Sequence, residues 1–263
     1  MTEGEFTVSL HALGDGIGEL SWTGSPQPEA LTRALSHAGD EAILAEELRR
    51  IEAQAPGQDR AARHALLRSG FRQEGVRRQA HVRDDGSFDD IVCYARLASD
   101  RTAGPDAFTA VMNSALPRKR LIAHVAIRDD QGRFLLCRTS FKADWELPGG
   151  IVEVNETPRA GAAREIVEEL GVDWPVGRLL LADWMPPYLG WEDALELIFD
   201  GGTIADDDLA RITPDGREII EVDLVDLEAA GELVTPLSHR RLTTIAGLAP
   251  DAVVHSEDGR PVG

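Results

Sequence analysis

The 263-residue sequence predicts an α/β protein made of two units. Three observations predict it. Short apolar runs suited to strands, such as Ile91-Val92-Cys93-Tyr94-Ala95-Arg96-Leu97 and Leu121-Ile122-Ala123-His124-Val125-Ala126-Ile127, alternate with stretches of helical periodicity. Hydrophobic residues make up 43% and charged residues 28%, the balance of a chain that buries a core. Glycine and proline punctuate 98–117, from Gly104-Pro105 to Pro117, which divides the chain into 1–100, a linker at 101–117, 118–250 and a tail at 251–263 that frays from Ser256.

In the first unit, strands are expected at Phe6 to Leu13 and Gly18 to Trp22. Residues 28–49 carry helical periodicity with a break near Gly39. An amphipathic helix from Arg60 to Ser69 stops at Gly70, and strands near 76–83 and 90–97 flank the turn Asp84-Asp85-Gly86. Within the linker, a short helical turn is expected at 106–114. The second unit opens with a hairpin, 121–128 and 133–139, around Asp129-Asp130-Gln131-Gly132. A helix is expected at 158–170, with Thr157 as its cap, Pro158 in its first turn and Gly171 as its left-handed stop. Strands follow near 177–184, 193–200 and 218–227, then a helix from Thr235-Pro236.

Charge excludes some partners. Lys and Arg total 27 against 46 Asp and Glu, a formal net charge of −19. Nucleic-acid polymers and anionic membranes are bound largely through basic groups, so neither is an expected partner. No run of eighteen apolar residues occurs, and Met1 to Phe6 lacks the basic and apolar regions of a signal peptide. Cys93 and Cys137, without a CxxC pair, read as free thiols of the reducing cytoplasm. The seven histidines, 11, 37, 64, 81, 124, 239 and 255, are scattered and read as surface or core residues. The run Asp206-Asp207-Asp208 reads as solvated loop.

The informative stretch is Gly150 to Val172. On a helix at 158–170, Ala163, Ile166, Val167 and Leu170 form an apolar stripe, which turns Glu165, Glu168 and Glu169 away from the core and toward the loop at Gly149-Gly150. Carboxylates so grouped repel one another, with Arg164 alone nearby to offset them, and hard divalent ions such as Mg²⁺ or Mn²⁺ resolve the conflict. A solvated acidic helix face is the alternative for such a triplet taken alone. Gly150, five residues, Glu156, seven residues, then Arg164-Glu165-Ile166-Val167-Glu168-Glu169-Leu170-Gly171-Val172 matches the Nudix box at every specified position, and Trp145-Glu146-Leu147-Pro148-Gly149-Gly150 is similar to the family's lead-in. Asn155 stands where many members have Gly.

Residues 118–248 thus resemble a Nudix hydrolase, which implies an α/β/α sandwich around a mixed sheet. The resemblance implies Mg²⁺, with Mn²⁺ as a substitute, held by Glu165, Glu168, Glu169 and the Gly150 carbonyl. It implies Arg164 holding the glutamates, Glu156 bracing loop against helix, and hydrolysis of a nucleoside diphosphate linked to another moiety. The general base is Glu165 or a carboxylate of a later loop, Glu218 or Glu221; Glu153 is a further candidate ligand. Arg138 is a candidate phosphate clamp. Trp184, with Tyr188 and Trp191, offers a stacking surface for a base, with aromatic core packing as the alternative.

Arg60 to Gly75, with Asp89-Asp90-Ile91-Val92-Cys93-Tyr94, resembles the C-terminal half of a GNAT acetyltransferase in degenerate, partial form. Asp59 and Ala62 stand where such transferases commonly show Asn and Ser, and the R/Q-x-x-G-x-G/A phosphate loop is missing. The glycine cluster Gly14, Gly16, Gly18 precedes a strand and reads as a turn. This resemblance implies a non-catalytic module for packing, homodimerisation or partner binding. An acetyltransferase and a nucleotide sensor without turnover are the competing functions; the missing loop counts against the first and the intact glutamate set against the second.

Overall fold

The computed structural model describes residues 6–262, which cluster into two compact units that divide between Pro117 and Arg118. The first unit holds β1 (Thr7–Gly14), β2 (Ile17–Thr23), α1 (Pro28–Leu44), β3 (Arg50–Pro56), α2 (Arg60–Arg68), β4 (Arg72–Val82), β5 (Phe88–Leu97) and α3 (Pro105–Ala115). Its sheet runs β1-β2-β3-β5-β4, with β2 and β3 parallel and the other neighbours antiparallel. Leu31, Leu35 and Ala42 of α1 and Ala62, Ala65 and Leu66 of α2 close the core over Ile51, Ala53 and Tyr94.

The first unit departs from the sequence reading in three places. Helix α1 passes through Gly39 without a break, because a side chain there would lie 2.9 Å from the Arg96 guanidinium: glycine makes room for a buried arginine. Residues 50–56, to which the sequence assigns no element, are a strand whose Ile51, Ala53 and Ala55 alternate into the core. The helical turn expected at 106–114 is a longer helix, Pro105–Ala115. Ala107 and Val111 are buried, and the Gln73 amide of β4 donates to Ser114 Oγ at 3.0 Å.

The second unit holds β6 (Arg120–Arg128), β7 (Phe134–Thr139), β8 (Trp145–Glu146), β9 (Gly149–Ile151), α4 (Pro158–Leu170), β10 (Leu179–Met185), β11 (Ala194–Thr203), α5 (Asp206–Leu209), β12 (Ile219–Val225), α6 (Leu227–Leu233), α7 (Pro236–Ala246), β13 (Val254–Glu257) and β14 (Arg260–Pro261). The mixed sheet runs β12-β7-β6-β11-β10-β13-β14. β6 and β7 pair only at Arg128 and Phe134; beyond that they part, β8 pairing with β7 and β9 with β6. That parting seats the Gly149-Gly150 turn inside the sheet. Ile166 and Leu170 of α4 pack on Ala123, Val125 and Phe199, while Leu242 and Ile245 of α7 pack with Ala126, Leu181 and Ile198. The sheet therefore has an α4 face and an α7 face.

The segment after Ser256 is no frayed tail. β13 runs parallel to β10, and Ser256 is fully buried because its partner across the ladder, Asp183, takes its hydroxyl proton in a hydrogen bond. The acidic run at 206–208 forms the short helix α5. No helix among the described residues is long and apolar enough to cross a membrane.

Candidate active site

Local signals build the loop and helix. Thr157 Oγ1 accepts from the Ala160 amide and Pro158 fits the first turn; Gly171, at φ 69°, ends α4 in the left-handed region. Gly149, at φ 131°, lies so close to β6 that a Cβ would fall 2.3 Å from the Ala123 carbonyl oxygen. Only glycine lets the turn lie against the strand there.

Arg164 is the organiser. Its Nε and Nη2 donate to Glu156 Oε1 and Oε2 at 3.1 and 3.2 Å, its Nη2 also donates to the Ile151 carbonyl, and its Nη1 reaches Glu165 Oε1 at 3.0 Å and Glu168 Oε2 at 2.9 Å. Glu156 accepts the Glu153 amide as well, so it joins loop to helix, and the Arg164 guanidinium together with that amide holds its carboxyl below the usual range. A Cβ on Gly161 would fall 2.8 Å from Glu156 Oε2, so this glycine inside α4 admits the brace.

The apolar stripe of α4 differs from expectation. Ala162, Ile166 and Leu170 are buried with Glu169, which is 6% exposed, whereas Val167 is 48% exposed. The three glutamates consequently do not share one solvent-facing surface. Glu169 turns inward, and its Oε2 accepts the Gly149 amide at 2.9 Å. Glu165 lies half-buried against the turn, its carboxyl carbon 2.9 Å from where a Gly150 Cβ would be. Glu168 stays outside in its ion pair with Arg164.

Burial pushes the Glu169 carboxyl up to about 8; the Gly149 amide and His124 oppose this, and Glu165 and Glu146 add to it. Burial also raises Glu165, against Arg164 and with help from Glu168 and Glu218. Two carboxyls made costly to ionise, both against the Gly149-Gly150 turn, are oxygen donors of the kind a hard divalent cation fits. Among the described residues no three acidic, histidine or cysteine side chains already converge as a metal cage, and Glu168 is paired with Arg164.

The remaining candidates lie as follows. Glu218 precedes β12 on a loop whose amides at Arg217, Glu218 and Ile219 are gathered by Asp215, close enough to Glu165 to raise it. Arg138 and Glu221, opposite each other on β7 and β12, form an exposed pair at 2.9 Å. Trp184, Tyr188 and Trp191 are 40%, 63% and 59% exposed, which overturns aromatic core packing. Trp184 Nε1 donates to Asp193, and the Arg120 guanidinium stacks 4.5 Å from the Trp191 ring centroid. A pocket of about 330 Å³ lined by Val172, Trp174, Pro175 and Arg211 includes none of the box glutamates.

One cluster was missed in the sequence. Arg241 of α7 donates from Nε and Nη2 to Asp183 Oδ2 at 2.8 and 2.6 Å, and from Nη1 to Glu196 Oε2 at 2.6 Å. Glu196 Oε1 lies 3.0 Å from His124 Nδ1. All four residues are buried. Burial would raise Glu196, but Arg241 and His124 outweigh it and bring it to about 2, so the carboxylate accepts and Nδ1–H donates. His124 is raised in turn, the nearby carboxylates overcoming burial. The available signal was a single charge inside an apolar strand: Ala194-Leu195-Glu196-Leu197-Ile198 places Glu196 between inward-facing Ala194 and Ile198.

Comparison with known proteins follows the same segment. A family model described as NUDIX domain matches residues 118–246. A MutT-like protein of Streptomyces ambofaciens is 47% identical over 58 residues, 22% of this chain and 37% of that protein. Diphosphoinositol polyphosphate phosphohydrolase 2 of Rattus norvegicus is 41% identical over 64 residues, 24% of this chain and 36% of that protein. The chain thus spans little more than a third of these relatives' length. A MutT protein from Methanosarcina mazei Go1 superposes with TM-score 0.42 and 26% identity, covering 50% of this chain and 96% of that one. With the box complete in spacing and its loop and helix in contact through Arg164, Glu156 and Glu169, residues 118–246 of the chain form a NUDIX domain.

Proposed function

We propose that the second unit hydrolyses a phosphoanhydride bond in a nucleoside diphosphate linked to another moiety, such as a nucleotide sugar, ADP-ribose or a nucleoside triphosphate, with Mg²⁺ or Mn²⁺. The observation that carries this reading is the meeting of Glu165 and Glu169 at the Gly149-Gly150 turn, both with carboxyls raised by burial and Glu169 without a cationic side chain bonded to it. Glu165, Glu169 and the Gly150 carbonyl would hold the ion, with Glu168 joining once released by Arg164. When bound, the ion neutralises pyrophosphate charge and acidifies water. Water oxygen then bonds to phosphorus, the bridging P–O bond breaks, and the proton passes to Glu165 or to Glu218, whose charge acts on Glu165. Arg138 and Trp184 are the proposed phosphate and base contacts.

The test is turnover of ADP-ribose, UDP-glucose and ATP with Mg²⁺ by the full chain. We expect release of a nucleoside monophosphate, reduced about a hundredfold or more in Glu169→Gln. Full activity in that variant would remove Glu169 from the site.

Residues 1–100 fit a non-catalytic acetyltransferase-like module, supported by the short connection between β2 and α1, residues 24–27, which leaves no room for a phosphate-cradling loop. Calorimetric titration with acetyl-coenzyme A should give no binding heat. The two free cysteines suit the cytoplasm.

A further inference from the structure

The buried relay on the α7 face leads to the candidate site. Glu196, Asp183 and Ser256 stand in one row across β11, β10 and β13. Ser256 Oγ and the Gly259 amide donate to Asp183 Oδ1; Arg241 joins Asp183 to Glu196; Glu196 holds His124 Nδ1–H. The line thus begins in the β13–β14 hairpin, beyond the segment matched by the family model, and ends on β6 directly opposite Gly149. A Cβ at Gly149 would lie 3.0 Å from His124 Cδ2, the ring carbon bonded to Nε2, and the Gly149 amide is the one that holds Glu169.

A buried ionic network is a poor device for stability alone, because apolar side chains of similar volume commonly do as well. What it does and leucine cannot is fix the orientation and tautomer of an imidazole. With Nδ1 committed to Glu196, only Nε2 remains. It has no hydrogen-bond partner among the described residues and is not one of the fully buried unpaired atoms, which are Gln73 Oε1, Arg96 Nε, Arg120 Nε and Thr139 Oγ1. Of the carboxylates around the ring, Glu146 is paired with Lys142 and Glu169 accepts the Gly149 amide. Nε2 is thus left as a single polar atom without a partner among the described residues, which suits one hydroxyl or one base edge.

We propose that His124 Nε2 contacts the nucleoside part of the substrate and sets specificity, and that Glu196, Arg241, Asp183 and Ser256 are positioning residues that hold it from the C-terminal hairpin. This rests on the pyrophosphohydrolase reading above. The test measures kcat and KM for ADP-ribose, UDP-glucose and ATP in wild type, His124→Leu, His124→Gln and Ser256→Ala, together with the imidazole ¹⁵N resonances.

We expect His124→Leu to raise KM for the preferred substrate about tenfold, the worth of one hydrogen bond at a recognition site, with kcat within about threefold and weaker discrimination among the three. His124→Gln, whose amide can reach the Nε2 position, restores most of it. Ser256→Ala raises KM about two- to threefold and shifts the His124 Nδ1 resonance. KM values unchanged in His124→Leu, or a loss that falls equally on all three substrates through kcat, overturn the proposal. If His124→Leu does not fold, the absence of any KM change in Ser256→Ala overturns it. If wild type turns over none of the three, the activity reading fails separately. ADP titration then decides: a saturable His124 Nε2 shift upholds the contact and none overturns it.

Discussion

The two faces of the second sheet bury carboxylates in opposite ways. On the α7 face Glu196 is almost wholly buried, yet sits near 2, because Arg241 and His124 both reach it. On the α4 side Glu169 is just as buried and sits near 8, because its hydrogen bond comes from one backbone amide. Burial is common to both; the partners differ. One site is electrostatically closed by the protein's own cations, whereas the other has its arginine, Arg164, turned outward to Glu156, Glu165 and Glu168. A closed network stabilises and orients. An open one is completed by something that binds.

The largest effect should come from breaking the closed side. Arg241→Met leaves Asp183 and Glu196 buried without their cation and should destabilise the second unit by about 3–5 kcal/mol, read as a lower urea midpoint. A midpoint unchanged from wild type would mean that these carboxylates do not depend on Arg241. The matching change on the open side, Glu169→Gln, should leave metal-free stability within about 1 kcal/mol while removing the rise in melting temperature that Mg²⁺ gives the parent. That rise should be several degrees at a hundredfold excess over Kd, where binding contributes about 2.7 kcal/mol. A variant that keeps the Mg²⁺ response would show the ion sitting elsewhere.

Acid should act on the closed side next. Glu196 has a folded pKa of about 2 against about 4.5 when unfolded, so its stabilisation is present above pH 4.5 and is lost as pH falls toward 2. Urea midpoints measured from pH 6 to pH 3 should fall, and Glu196→Gln should flatten the part of the slope below pH 4.5. An unaltered slope would assign the acid sensitivity to other carboxylates.

What could be read from the sequence divides along the same line. The box was legible because its constraints are local: Gly150, Glu156, Arg164, Glu165 and Gly171 lie within one loop and one helix, and Thr157, Pro158 and Gly171 mark the helix ends without reference to the rest of the chain. Helical periodicity alone misjudged the buried side. Ala163, Ile166, Val167, Leu170 and Ala162, Ile166, Glu169, Leu170 are equally good stripes at 3.6 residues per turn, and counting only apolar residues as core-facing chose the wrong one. The relay was illegible for a different reason. Arg241 is 58 residues from Asp183 and 45 from Glu196, and Ser256 is 73 from Asp183, so only the strand order brings them together. Ser256 looked like tail because nothing in its own neighbourhood records Asp183 across the ladder.

The smallest expected effect on stability tests whether an exposed pair serves binding. Arg138 and Glu221 face each other at 2.9 Å, but each side chain is about half exposed, 49% and 52%. Such pairs gain little against side-chain entropy and water, so a double-mutant cycle of Arg138→Ala and Glu221→Ala should give a coupling of at most about 0.5 kcal/mol. The bond is weak enough for a doubly charged phosphate to compete for the guanidinium, which can grip it with two parallel N–H donors. Arg138→Ala should therefore raise KM about tenfold while Glu221→Ala, by freeing the arginine, leaves KM equal or lower. If both variants keep the parent KM, Arg138 is a surface charge paired with Glu221 and the phosphate is held from elsewhere.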